Sequence, residues 1–277
     1  MNSGLATESA REAIAEHPFW YHTLEIEPGV VTPGWFDLRP IVDGLPWPDV
    51  RGKRCLDVGP YDGFLSFELE RRGAAEVVAA DIASPFDWDW AIAKRKQGPE
   101  ALLAQAGPNP GAGFELAKRL IGSTAERIEV SAYDLTPERV GCFDVVVCGS
   151  LMLHLKDPIR ALEAIHSVCN GHFMSSETID PLLSVIVRQT PSARQVGGAN
   201  CQWWIPNVAG HRRMLEAASF EIVDQPGPYA IPLGPAHPKL GHAHRGRKRL
   251  IHGLARLGEG VPHSAALCCP LPVDNDQ

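Results

Sequence analysis

Apolar and polar positions change period repeatedly along this 277-residue chain. Short apolar runs bounded by charged or turn-forming residues occur at 54–58, 76–81, 127–132, 143–149, 171–177, 219–224 and 265–271. Each predicts a strand. Stretches with helical spacing lie between them at 63–72, 157–168 and 207–218. Strands alternating with helices predict a mostly parallel α/β sheet covered on both faces, with right-handed crossovers. Residues 84–126 interrupt the alternation as a helical insertion. It has helical patterns near 88–105 and 114–121, separated by Gly107-Pro-Asn-Pro-Gly111.

The first 49 residues follow another pattern. Residues 8–16 suit a short helix. Residues 17–49 then carry Phe19, Trp20, Trp35, Phe36 and Trp47 among six prolines, with no clean period. The segment is too irregular for a core element and too aromatic for a free linker. It reads either as a lid over a ligand cleft, with Tyr21, His22 and Arg39 as candidate contacts, or as packing against the sheet edge. The predicted organisation is a cap at 1–49 and a main domain at 50–277. The main domain carries the insertion at 84–126 and a basic connection at 237–256.

Composition narrows the class. Hydrophobic residues make up 44% of the chain, enough for a full core. No run of eighteen apolar residues occurs, so no membrane-spanning helix is expected. The first residues lack a basic region before an apolar stretch, so no secretory signal is expected. The seven cysteines include no C-x-x-C pair, which predicts reduced thiols in a cytoplasmic protein. A net charge of −7 argues against a dedicated nucleic-acid binder. Residues 237–256 nevertheless hold Lys239, Arg245, Arg247, Lys248, Arg249 and Arg256 and no acid, so they form either a phosphate-binding arm or a solvated connection. Nothing in the composition separates a monomer from a homodimer.

The candidate chemistry begins at Arg54-Cys-Leu-Asp-Val-Gly-Pro-Tyr-Asp-Gly63, answered by Val77-Val-Ala-Ala-Asp81. This is a strand, a glycine turn, a helix and a second strand ending in a carboxylate. Glycines allow close backbone approach to a ligand, and an acid at the second strand end can accept both hydroxyls of a ribose. A dinucleotide site would show Gly-x-Gly-x-x-Gly and seat a pyrophosphate on the helix N-terminus. Here Asp62 stands at that terminus and Asp57 just before Gly59. Both would repel a pyrophosphate and favour a phosphate-free nucleoside carrying positive charge. S-adenosylmethionine, with its ammonium and sulfonium, is such a molecule.

With these residues the chain resembles the class I S-adenosylmethionine-dependent methyltransferases. Leu56-Asp-Val-Gly-Pro-Tyr-Asp-Gly63 is similar to the first motif of the family, with Tyr61 in place of its usual second glycine. The resemblance makes Asp81 the ribose acid, with Ile82 beside it. It sets Asp134, within Ala132-Tyr-Asp-Leu135, beside the adenine amino group, next to Tyr133. Phe143-Asp-Val-Val-Val-Cys-Gly-Ser150 then lines the methyl donor with Gly149 and Ser150. The implied fold is Rossmann-like, with a seven-stranded sheet whose last strand inserts antiparallel. A narrower resemblance joins Ser150-Leu-Met-Leu-His-Leu-Lys-Asp-Pro158, Ser176-Glu-Thr178 and Trp203-Trp-Ile-Pro-Asn207 to the group named after the wobble-uridine tRNA methyltransferases. The tRNA enzymes of that group grip a carboxylated donor with a tyrosine before the histidine and an upstream lysine. Leu153 stands in the tyrosine position and no lysine occurs in Val31-Thr-Pro-Gly-Trp-Phe-Asp37. Both departures favour plain methyl transfer.

Methyl transfer to a hydroxyl gains from a base that removes its proton, and histidine suits neutral pH. His154 follows the fourth strand at the carboxyl edge, where open α/β sheets bind ligands. It is the candidate base. Glu177 ends the fifth strand on that edge and is the second catalytic candidate. With Asp180 it could instead bind a divalent cation such as Mg²⁺. Trp203 and Trp204 offer a platform for a sugar or a base, with hydrogen bonds from Asn200, Gln202 and Asn207, and Gly197-Gly-Ala199 before them suggests a mobile loop. The expected function is O-methylation of a small molecule, with a sugar or glycoside as the leading acceptor. A tRNA-modifying methyltransferase is the alternative, and a non-catalytic cofactor-binding protein the third reading.

Overall fold

The computed structural model describes residues 3–106, 111–197, 201–238 and 259–272. The basic connection, apart from residues 237 and 238, lies outside the described residues. So do Asn200, Gly198, Ala199 and residues 107–110.

Helix α1 (Ser3–Glu16) opens the chain, starting earlier than the sequence pattern predicts. Trp20 folds back beneath it and donates its indole N–H to the Ile14 carbonyl at 3.1 Å. A short hairpin follows, β1 (Glu25–Glu27) with β2 (Val30–Val31). The alternating part then runs β3 (Arg54–Val58), α2 (Phe64–Arg71), β4 (Glu76–Asp81), α3 (Ile92–Arg95), α4 (Pro99–Ala106), α5 (Ala112–Ile121), β5 (Glu126–Glu129), α6 (Pro137–Val140), β6 (Phe143–Gly149), α7 (Pro158–Val168) and β7 (Cys169–Thr178). After it come α8 (Pro181–Ile186), the hairpin β8 (Ala193–Gln195) with β9 (Trp204–Pro206), α9 (Val208–Ala217), β10 (Phe220–Asp224), β11 (Tyr229–Ile231) and β12 (Val261–Pro270). The helical pattern predicted near 88–105 is broken into α3 and α4. Gly98, at φ 90°, turns the chain there, and Pro99 starts the second helix.

The sheet runs β10-β12-β7-β6-β3-β4-β5. Neighbours among β3 to β7 pair in parallel, and β12 runs antiparallel between β7 and β10. The expected seven strands are all present. An eighth, β11, pairs with β12 through Tyr229 and His263. Three residues are too few to register as an alternating pattern. The last strand begins at Val261, ahead of the predicted 265, because Pro262 and His263 disguise its start.

Two apolar layers flank the sheet. On one face Leu56, Val58, Val146 and Cys148 pack against Leu162 and Ile165 of α7 and Leu215 of α9. On the other, Cys55, Val145 and Val147 pack against Leu65 and Leu69 of α2 and Phe114 of α5. Trp20, Leu24, Val30, Val42 and Val50 belong to that second layer. The N-terminal segment is therefore built into one face of the sheet, where each fully buried apolar side chain contributes about 1.5–3 kcal/mol. The parallel strands β3 to β7 all end on one edge, and the antiparallel β12 begins there, with His263 opposite Thr178. A satellite core of Trp90, Leu102 and Cys201 joins the insertion to the segment before β9. No cysteine forms a disulfide. Among the described residues no helix is long and apolar enough to cross a membrane.

Candidate active site

The glycine turn is held by left-handed residues. Gly59, Tyr61 and Gly63 have φ of 75°, 55° and 92°. A non-glycine residue in this region costs about 1–2 kcal/mol, so Tyr61 is accommodated by its surroundings. A Cβ at Gly63 would fall 2.6 Å from Phe67, and one at Gly59 would press on Leu151 at 3.1 Å. The turn thus stays open only with glycine at both ends.

Asp62 does not face the cleft. It is 1% exposed, and its Oδ2 accepts the backbone N–H groups of Tyr21 at 2.8 Å and His22 at 2.9 Å. Its Oδ1 is paired with Nδ1 of His22. The expectation that Asp62 faces a ligand is corrected: this carboxylate clamps the N-terminal segment to the turn. His22, expected at the acceptor, is buried as its partner. Arg39 pairs with Asp37 on the surface. Tyr21 remains beside the turn, its ring 4.8 Å from Tyr61 and 4.9 Å from Phe36. Phe19 stands edge-on to Trp35 at 4.9 Å and to Tyr61 at 6.0 Å, completing an aromatic wall.

The remaining donor-site residues converge on the edge made by β6, β3, β4 and β5. Asp57 is buried and accepts the Ser66 hydroxyl at 2.6 Å. Burial raises its pKa to about 7, against the lowering effect of Ser66 and of His22. Asp81 accepts the Ile82 amide at 2.8 Å, and burial raises its pKa to about 6. Burial outweighs Arg127 at Asp81 and His22 at Asp57, so a ligand bringing positive charge and ribose hydroxyls would favour their charged forms. Ile82 is fixed further by Arg127, which donates to its carbonyl at 2.9 Å. The Asp134 side chain is exposed, 3.7 Å from Arg139, on the turn after β5. Tyr133, on the same turn, donates its hydroxyl to Asp89 at 2.6 Å. Gly149 lies close against Ser176, where a Cβ would fall 3.0 Å away, and the Ser150 hydroxyl lies 2.7 Å from Nε2 of His263. Because the His263 Nδ1 lies 2.8 Å from the Val261 carbonyl, its Nε2 accepts from Ser150.

His154 closes a 3₁₀ turn, Met152–His154, just after β6. Its Nδ1 is 2.9 Å from the Cys201 carbonyl oxygen. A carbonyl can only accept, so Nδ1 carries the proton and Nε2 keeps its lone pair. Burial lowers the pKa of the ring. A neutral imidazole with a basic Nε2 is the form a general base needs.

Glu177 holds this turn in place. It is buried, its Oε1 accepts the amides of Leu151 at 3.0 Å and Met152 at 3.1 Å, and burial lifts its pKa to about 7. Its Oε1 therefore positions this turn. Asp180 caps α8 through the amides of Leu182 and Leu183 and binds Arg194 at 2.8 Å. The two acids are spent on different tasks, and among the described residues no three His, Cys, Asp or Glu side chains converge as metal ligands. The geometry gives the expected Mg²⁺ site no support.

Both expected platform tryptophans are anchored through their indole N–H groups. Trp203 donates its indole N–H to the Asp89 carbonyl at 2.7 Å, and Trp204 donates to the Lys156 carbonyl at 3.0 Å. Both brace the His154 turn. Asn207 is 0% exposed: its Oδ1 accepts from Ser192 and Gly210, and its Nδ2 donates to Val187 and Thr190. Its bonding capacity is used up in capping α9, leaving none for an acceptor. Sequence reasoning missed Asp89 and the Cys201 carbonyl. Asp89 carried no motif, and a backbone carbonyl leaves no signal in residue types.

A family model described as methyltransferase domain matches residues 37–223. Among curated proteins, the chain is similar to the ubiquinone biosynthesis O-methyltransferase of Pseudomonas syringae pv. tomato, 30% identical over 159 residues, covering 56% of this chain and 54% of that one. It is also similar to the protein of the same name from Neisseria meningitidis serogroup C, 34% identical over 116 residues, 42% of this chain and 39% of that one. The chain thus spans about half or less of the length of these relatives. Among solved structures, the [4+2]-cyclase SpnF superposes with a TM-score of 0.51 at 17% identity, covering 97% of this chain and 93% of that one. The 1,6-didemethyltoxoflavin-N1-methyltransferase of Burkholderia thailandensis, solved with 1,6-didemethyltoxoflavin and S-adenosylhomocysteine, gives 0.50 at 14% identity, over 85% and 78%. The two structures share the fold. By the match over residues 37–223, this chain belongs to the methyltransferase domain family.

Proposed function

We propose that the protein transfers a methyl group from S-adenosylmethionine to a hydroxyl of a small ring-bearing molecule, a sugar or glycoside first, with His154 as general base. The donor supplies an electrophilic methyl carbon on a sulfonium. Asp81 takes the ribose hydroxyls, the turn from Gly59 to Gly63 lets the backbone approach, and Gly149 and Ser150 line the methyl end. Nε2 of His154 takes the acceptor proton as the oxygen–methyl bond forms and the methyl–sulfur bond breaks, the sulfur leaving as a neutral thioether. Holding donor and acceptor in line accounts for much of the rate.

The observation that carries this reading is the hydrogen bond from Nδ1 of His154 to the Cys201 carbonyl. It fixes the tautomer with a free lone pair on Nε2. The name of the curated relatives favours a hydroxyl acceptor. The wall of Phe19, Tyr21, Trp35 and Tyr61 suits a ring. Leu153 is a buried apolar side chain where the wobble-uridine enzymes use a tyrosine, which favours the unmodified donor.

A transfer screen with methyl-labelled donor tests the proposal, using glycosides, small hydroxylated metabolites and undermodified tRNA as acceptors. The proposal expects label on an oxygen of a small molecule. Label appearing only on tRNA, with binding that weakens steeply as salt rises, would replace it by the wobble-uridine reading.

A further inference from the structure

The helical insertion meets both halves of the edge through one residue. Asp89 Oδ2 accepts the Tyr133 hydroxyl at 2.6 Å and the Lys156 amide at 2.8 Å. The Tyr133 oxygen in turn accepts the Asp157 amide at 3.2 Å. Tyr133 belongs to the turn after β5 on the donor side, whereas Lys156 and Asp157 directly follow the His154 turn. The Asp89 carbonyl accepts the indole N–H of Trp203, whose amide donates to the Leu153 carbonyl at 2.7 Å. The Lys156 ammonium sits 5.1 Å from the Trp203 ring centre, and the Arg160 guanidinium 5.1 Å from that of Tyr133. The chain is therefore tied to Asp89 on both sides of His154. One carboxylate oxygen is shared by a hydroxyl of the donor site and an amide of the base turn. Displacing Tyr133 must carry Lys156 with it or break a short charge-assisted bond.

We propose that Asp89 is a positioning residue that couples the adenosine end of the donor site to the His154 turn, so that donor binding presets the base. This rests on the methyl-transfer reading above and adds a residue and an order of events to it: donor first, then acceptor. The Tyr133 hydroxyl is already bonded to Asp89 and to the Asp157 amide, so a nucleoside that presses on the 131–134 turn acts on that bond directly. Asp89 passes that constraint to Lys156 and, through Trp203, to Leu153. His154 lies between them. The titratable and charged groups on the elements packed around His154 are Glu177 beneath the turn, Lys156 and Asp157 on its own loop, Asp89 bonded to Lys156, and the Cys201 thiol, itself near Asp89 and Lys94. Donor binding that closes this turn should dry the imidazole and make it harder to protonate.

The test is an NMR titration of His154 in isotopically labelled protein, with and without S-adenosylhomocysteine. The resonance is assigned by its loss in His154→Gln. In the unmodified protein the ligand should lower the His154 pKa by about 0.5 or more, a change of about threefold in protonation. In Asp89→Ala and in Tyr133→Phe the ligand-induced change should drop below about 0.2, while ligand affinity weakens by no more than about fivefold. Asp89→Asn keeps an acceptor oxygen and should restore most of the response. Tyr133→Phe removes one hydroxyl only, so it decides the matter if Asp89→Ala fails to fold. An unchanged response in Tyr133→Phe, or none in the unmodified protein, overturns the coupling. The base assignment fails separately: full transfer by His154→Gln removes it without altering what Tyr133→Phe does to the binding of S-adenosylhomocysteine.

Discussion

His154 and Cys201 stand 47 residues apart and are joined by one hydrogen bond, from the imidazole Nδ1 to the backbone carbonyl. The bond selects the tautomer, and burial of the ring lowers its pKa. With His154 as the proposed base, only its neutral form is active, so turnover should be lost as pH falls through this pKa. Because burial moves the pKa downward, the acid limb of kcat at saturating donor and acceptor should lie below about 6.5, the ordinary histidine value. An inflection at or above that value would contradict the assignment.

Donor affinity should have its own pH dependence. Burial raises Asp81 to about 6 and Asp57 to about 7 in the free protein. Both are neutral below those values and charged above them. A cationic ligand prefers the charged forms and lowers both pKa values when it binds. Its affinity should therefore rise between pH 5 and 7.5, by about fivefold if binding lowers one of these pKa values from about 6 to about 5. Calorimetric titration with S-adenosylmethionine, which carries both the sulfonium and the ammonium, measures this. Flat affinity across that range would mean the acids do not meet the ligand. Asp81→Ala should weaken binding and flatten most of the profile.

Asp62→Ala separates clamp from ligand contact. The substitution strands two backbone N–H groups and the buried His22 ring, at a cost of about 3 kcal/mol. For a chain of this size that lowers Tm by about 6–12 °C. An unchanged Tm with selective loss of donor affinity would return Asp62 to the ligand.

Asn207→Ala should behave as a lost helix cap with buried partners left open. The expected loss is about 2 kcal/mol or more, read by denaturant unfolding. Acceptor KM should stay within about twofold once folded protein is counted, since an interaction absent from the bound complex changes neither state. A large KM effect in stable protein would restore Asn207 to the acceptor site.

What the sequence revealed and what it hid divide on physical grounds. The central strands were legible because β3 and β6 are buried on both faces and therefore read as apolar runs. The strand-turn-helix was legible because Gly59 and Gly63 bracket the turn between β3 and α2, and Asp81 ends the neighbouring parallel strand β4, where backbone geometry fixes their placement. The tasks of Asp62, Asn207, Trp203 and Trp204 were not. The partners of Asp62 lie about forty residues upstream, and the indole partner of Trp203 more than a hundred away. A polar residue near a motif looks the same in sequence whether it faces a ligand or ties down a distant segment. Glu177 illustrates the cost: it ends the predicted strand, yet its carboxylate meets backbone amides of the base turn.

Catalysis by His154 is tested most directly by comparing His154→Gln with the unmodified protein in methyl transfer to the acceptor found by the labelled-donor screen. Glutamine keeps a donor for the Cys201 carbonyl but offers no basic nitrogen. With His154 as the base, kcat should fall by about 10²- to 10⁴-fold, with affinity for S-adenosylhomocysteine within about threefold of the original. Transfer by His154→Gln at a rate within about threefold of the unmodified protein would rule that role out.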